Sequence, residues 1–134
     1  MAALPSVDQL GGLVETMRST GLEVTWTDSG EPTDLTPAVS LAAYRIAQEA
    51  LTNAAKHGDG RVELHTTWDE SGLSMHIENT TGLGASPAGS GLGLIGMEER
   101  ATANGGRFDA TSTSDRFRVA VWLPAASREV DISS

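Results

Sequence analysis

Apolar residues recur along the chain with two periods. Over 60–68 and 72–79 they alternate, so that Val62, Leu64, Thr66 and Trp68, then Leu73, Met75 and Ile77, fall on one side of an extended backbone. Phe117, Val119, Val121 and Leu123 repeat the alternation over 116–123. A period of two marks half-buried strands. Asp69-Glu70-Ser71-Gly72 reads as the turn of an antiparallel hairpin, whose register sets His65 opposite His76 on the polar side. The helical period predicts helices over 6–19, 37–57 and 92–104, with Pro37 in a first helical turn and Asn104-Gly105-Gly106 as a C-cap and turn. Strands at 22–28 and 106–113 complete the set, with loops at 29–36 and 80–90. One apolar sheet face and three helices imply the α+β class. The expected architecture is a two-layer α/β sandwich, a mixed and mostly antiparallel sheet with all three helices on one face.

Composition bounds this picture. The 134 residues, 39% hydrophobic and 20% charged, suit a single domain over 1–124, and 125–134 read as a frayed tail. A net charge of −9 argues against a broad basic surface for nucleic acid or an anionic membrane, so any phosphate site must be local. The absence of cysteine removes disulfides and thiolate zinc and fits a reducing cytoplasm. No apolar run approaches the roughly 18 residues of a membrane span.

Chemistry concentrates in two segments. Gln48 to Gly58 holds the only lysine of the chain, and on the helix that carries it Arg45, Glu49, Thr52, Asn53 and Lys56 share one narrow arc, with Tyr44, Ala47, Leu51, Ala54 and Ala55 largely opposite. The carboxylate can orient water, the amide oxygen can ligate a hard cation, and the ammonium can meet phosphate oxygens. Taken alone, such a stripe is more commonly the solvated face of an amphipathic helix. The second segment, Gly89 to Arg100, sets a glycine-rich loop before another helix, whose free N–H groups favour phosphate. Gly91-Leu-Gly93-Leu-Ile-Gly96 matches the dinucleotide fingerprint only as a string, since no strand directly precedes it, and no Walker sequence exists.

In this order and spacing the two segments resemble the ATP-binding domain of sensor histidine kinases, in the branch that pairs with LuxR-type response regulators. Gln48 to His57 match that family's N box, Tyr44-Arg45-Ile46 fits the pattern before it, and Gly91 to Arg100 match the glycine box with its Gly-Met-x-Glu-Arg run. Gly105-Gly106 fits too, and the resemblance runs from about Leu4 to Pro124. It implies the Bergerat (GHKL) fold. The chain departs from the pattern at Asn79, where the family has an adenine-binding Asp, with Gly82 and Gly84 one position late. It departs again at Asp115-Arg116-Phe117, where many relatives carry Gly-Thr.

What the resemblance implies is ATP and Mg2+ as ligands. Asn53 would hold Mg2+, Lys56 and His57 would contact phosphates, Glu49 would polarise a nucleophile or orient water, and Asn79 would read adenine. Gly82, Gly84, Gly89, Gly91, Leu92, Gly93 and Leu94 would complete the cofactor-binding set, with Thr80 to Ser90 as the lid. His57, His65 and His76 lack a phosphoacceptor context, so the acceptor histidine is expected on a dimerisation domain outside these residues. A response regulator follows downstream, and no nucleic acid is expected as partner. The whole protein is expected to be a homodimer and this domain a cytoplasmic monomer that does not phosphorylate itself. Two alternatives are a non-catalytic GHKL partner-binding module and a serine kinase of the anti-sigma-factor type. Retention of Glu49, Asn53 and Lys56 weighs against the first, and the Gly-Met-x-Glu-Arg run against the second.

Overall fold

The computed structural model describes residues 5–81 and 92–126. Its sheet grows from the hairpin that the alternation predicts. β2 (Gly58–Asp69) and β3 (Gly72–Thr81) pair antiparallel with Leu64 opposite Ile77, His65 opposite His76 and Val62 opposite Asn79. The Asp69 carboxylate organises the turn, accepting from the Ser71 hydroxyl at 2.6 Å and from the backbone N–H groups of Ser71 and Gly72 at 2.8 and 3.2 Å. The Ser71 hydroxyl, then its N–H, hold that carboxyl below its usual range. Gly72 has φ 148°, and a Cβ there would overlap the carbonyl oxygen of Leu123 on the neighbouring strand.

The remaining strands extend the hairpin on both sides. β5 (Arg116–Pro124) pairs antiparallel with β3, β4 (Arg107–Ser112) antiparallel with β5, and β1 (Glu23–Ser29) parallel with β2. The order β1-β2-β3-β5-β4 is therefore mixed and mostly antiparallel, as expected.

Three helices cover one face: α1 (Leu10–Ser19), α2 (Pro37–His57) and α3 (Leu92–Ala103). The first expected helix is divided, because a 3-10 turn at Val7–Gln9 precedes α1, with the Ser6 N–H donating to Gln9 Oε1 at 3.0 Å. Thr36 caps α2, its Oγ1 accepting from the Val39 N–H at 3.2 Å, and Pro37 occupies the first turn. α3 ends as the glycine pair predicts: Gly105 has φ 79° and the Gly106 N–H returns to the Ala101 carbonyl at 2.8 Å. Ala125 and Ala126, expected to fray, are pinned instead, donating to the carbonyls of Ser71 and Asp34 at 2.8 Å each. Backbone bonding to two loops overrides the composition of the tail there.

The core lies between α2 and the sheet. Ile46, Leu51, Leu64, Leu73, Met75 and Leu123 are fully enclosed, joined by Met97 and Ala101 of α3 and by Leu13 and Val14 of α1. Ala42, Ala43, Ala47, Ala50 and Ala54 are buried along α2, and such small side chains let the helix lie close to its neighbours. Ala55, expected on the apolar side, is exposed, because the buried stripe follows Ala47, Ala50, Leu51 and Ala54 and leaves it one step outside. Leu51→Ala is expected to cost about 2–5 kcal/mol in urea unfolding; a loss below about 1 kcal/mol would mean that α2 is not clamped to the sheet as described.

Candidate functional site

The polar arc of α2 is neither in the core nor in open solvent. Arg45, Glu49, Thr52 and Asn53 are half-buried, and only Lys56 and His57, in the last turn, are exposed. The reason is α3, whose first turn crosses this arc. A Cβ built on Gly93 would stand 3.0 Å from both Glu49 Oε2 and Asn53 Nδ2. Glycine at 93 thus lets the start of α3 approach the carboxylate and the amide together, which a larger residue would push apart. A helix N-terminus beside a carboxylate, an amide and, one turn on, an ammonium is a place where hydrogen-bond donors and oxygen donors face the same space. Leu94 packs against the core from the same turn. Gly82, Gly84, Gly89 and Gly91 lie outside the described residues, and so does the side chain of Leu92.

The other end of the site is set by Gly58, where α2 passes directly into β2. A Cβ there would come within 2.7 Å of both the Ala54 carbonyl and Asn79 Nδ2. The end of α2 and the end of β3 therefore meet with no side chain between them. Asn79 is only 6% exposed at the end of the apolar sheet face, as its place in the alternation predicts. Its Nδ2 donates to the Thr80 carbonyl at 3.1 Å, which pairs one of the amide's two donors, and the amide oxygen is an acceptor. Glu78 points to the opposite face, where Arg116 binds it. Sequence reasoning passed over Gly58; the abrupt change from helical to strand period at that residue was the available signal.

Two further regions are separate from this arrangement. A cavity of about 360 Å3 lies near the start of α2, lined by Trp26, Asp28, Ser40, Thr66 and Trp68 among others, and none of the expected site residues borders it. Its indoles are fixed by the structure itself: Trp26 Nε1 donates to Thr66 Oγ1 at 2.9 Å and Trp68 Nε1 to Asp28 Oδ1 at 3.2 Å. On the open face of the sheet, His65 and His76 stand opposite each other as expected. Among the described residues no group of three or more His, Asp or Glu is placed to hold a metal ion.

No protein-family model matches the chain. It is 31% identical over 96 residues to the signal transduction histidine-protein kinase/phosphatase UhpB of Salmonella typhimurium, covering 70% of this chain and 19% of that protein. It is 31% identical over 102 residues to the sensor histidine kinase LnrJ of Bacillus subtilis, covering 74% of this chain and 25% of that protein. With the oxygen sensor histidine kinase NreB of Staphylococcus carnosus it shares 34% identity over 82 residues, 58% of this chain and 24% of that protein. The chain belongs to the sensor histidine kinase family. The solved structures agree on the fold. The blue-light activated histidine kinase of Erythrobacter litoralis superposes with a TM-score of 0.70 at 16% identity, over 94% of this chain and 43% of that one. The kinase AdeS of Acinetobacter baumannii gives 0.65 at 13%, over 88% of this chain and 66% of that one. The fold expected from the resemblance is thus the fold observed. The chain spans between 19% and 25% of the length of these curated relatives.

In this kinase-family chain His76 links folding to pH. His76 Nδ1 accepts from Arg118 Nη2 at 3.1 Å. Burial, then the charges of Arg118 and His65, lower the His76 pKa, against a smaller opposing effect of Glu78. The folded state therefore holds its proton less tightly than the unfolded state. Its contribution is present above the unfolded value and is lost as pH falls. Between about pH 7 and pH 5, wild-type stability is expected to fall more steeply than that of His76→Gln. Equal slopes in urea titrations across that range would contradict this.

Proposed function

We propose that the chain is the ATP-binding catalytic domain of a two-component sensor kinase, binding Mg-ATP between α2 and α3 and donating the γ-phosphate to a histidine on a separate dimerisation domain. The observation that carries this reading is the approach of Gly93 to Glu49 and Asn53, which joins the two segments singled out in the sequence into one site. The family relation supports it.

The residues divide the work along α2. Asn79 and the Gly58 junction form the end that takes the base, with the Asn79 oxygen accepting from the adenine amino group. Lys56 and His57 stand at the helix end for the inner phosphates. The side-chain oxygens of Asn53 and Glu49 are hard donors suited to Mg2+, with Asn53 the holding residue. When bound, the ion would neutralise phosphate charge and orient the chain for in-line transfer. Glu49, half-buried beside the start of α3, is placed to orient the incoming nucleophile. The N–H groups at the start of α3 can donate to phosphate oxygens. Catalysis of this kind is mainly positioning and charge neutralisation.

Phosphotransfer needs an acceptor histidine, and His57, His65 and His76 all sit on elements of the ATP-binding layer pair. The acceptor domain and a LuxR-type response regulator are the partners this reading requires. Calorimetric titration tests the nucleotide site: Mg-ATP is expected to bind saturably and in preference to Mg-GTP, and Asn53→Ala to weaken ATP by about tenfold or more. Folded protein that binds no nucleotide, or an Asn53→Ala variant that binds as wild type, would overturn the assignment.

A further inference from the structure

α2 and α3 pass each other in opposite senses. The start of α3 meets Glu49 and Asn53, while Arg100 and the adjacent Asn104 meet the earlier turns of α2. There a cleft of about 310 Å3 opens, lined by Ala38, Leu41, Ala42 and Arg45 on one side and by Arg100 and Asn104 on the other. Two guanidiniums thus share one cleft.

Each guanidinium is placed by a neighbour on its own helix, on the side of the cleft nearer in sequence to Glu49 and Gly93. Arg45 reaches forward along α2, donating from Nη1 to Gln48 Oε1 at 3.2 Å. Arg100 folds back along α3, its Nη1 lying 3.7 Å from the point where a Cβ on Gly96 would stand. At 1.5 Å rise per residue, Gln48 is about 1.5 Å along the axis from Glu49, and Gly96 about 4.5 Å from Gly93. Gly96 has no side chain to fill the space between.

Among the described residues neither arginine forms an ion pair. The ion pairs among the described residues are Arg18–Glu15, His65–Glu63 and Arg116–Glu78, none of which involves Arg45 or Arg100. In a chain of net charge −9, a half-buried Arg45 and an exposed Arg100 that share no ion pair among the described residues mark the cleft as locally attractive to anions. Guanidinium forks match the oxygens of a phosphoryl group in geometry as well as charge.

We propose that Arg45 and Arg100 form a subsite for the terminal phosphate of the nucleotide and set the preference for triphosphate over diphosphate. The proposal rests on the nucleotide reading above. If the base sits at Asn79 and the ion at Asn53, the phosphate chain runs back along α2, and its last member lies closest to Arg45, one turn before Glu49. A diphosphate ends short of the cleft and does not engage the pair.

Calorimetric titrations with Mg-ATP and Mg-ADP, on wild type and on Arg45→Gln/Arg100→Gln, test this directly. The double variant is expected to weaken ATP by about tenfold or more while ADP changes by less than about twofold. Arg61→Gln/Arg118→Gln, an equal charge change on the open sheet face, is expected to leave both unchanged. Should the double variant fail to fold, Arg100→Gln at its exposed position is expected to show the same selective loss. ATP and ADP weakening together, or neither changing, would overturn the subsite and leave the nucleotide reading standing. Wild-type protein that binds neither nucleotide would overturn both.

Discussion

Helix α2 has to satisfy two neighbours with opposite demands. One side must vanish into the core against β2 and β3, and the other must hold a carboxylate and an amide half-buried under α3. A run of alanines meets the first demand, because Ala43, Ala47, Ala50 and Ala54 are almost wholly enclosed and cost little rotamer entropy on burial. Gly93 meets the second, because a Cβ there would crowd Glu49 Oε2 and Asn53 Nδ2 at 3.0 Å each. The spacing between sheet, α2 and α3 fixes the width of the candidate site. The rest of the fold keeps that spacing constant.

The two ends of α2 show how local choices serve this arrangement. Thr36 and Pro37 start the helix in the right direction, and Gly58 turns it into β2 without a break. That continuity places Asn79, on the neighbouring strand, against the last turn of α2. An amide at the end of an apolar strand face would be costly if its polar atoms went unpaired. The Thr80 carbonyl satisfies the donor, and among the described residues no buried side-chain polar atom lacks a partner. Asn79 thus keeps a donor paired at the end of the apolar face, with an uncharged acceptor where the sequence resemblance leads one to expect a carboxylate.

Much of this was legible in the sequence because periodicity reports burial directly. The faces of β2, β3 and β5 and the polar arc of α2 follow from alternation and from the 3.6-residue period, and element ends fall within two residues of expectation except where the 3-10 turn displaces α1. Ala55 misled because alanine is small enough to read as core or as surface. The anchoring of Ala125 and Ala126 was hidden because their partners, Ser71 and Asp34, lie in distant loops. The same limit applies to the site. One helix pattern supplies Glu49, Asn53 and Lys56, but the meeting of Gly93 with the first two, or of Arg45 with Arg100, depends on how two helices cross. That crossing is set by packing against the sheet, and no local period encodes it.

On the proposed reading, the polar arc of α2, the start of α3 and the end of β3 form one nucleotide site. Backbone amide NMR spectra recorded during titration with Mg-ATP would test it most directly. Shifts are expected to concentrate at Glu49, Asn53, Lys56, Asn79 and Gly93, with the open-face residues His65 and His76 and the cavity residues Trp26 and Trp68 unmoved. Shifts centred on Trp26 and Trp68, or spread across the open sheet face, would contradict it.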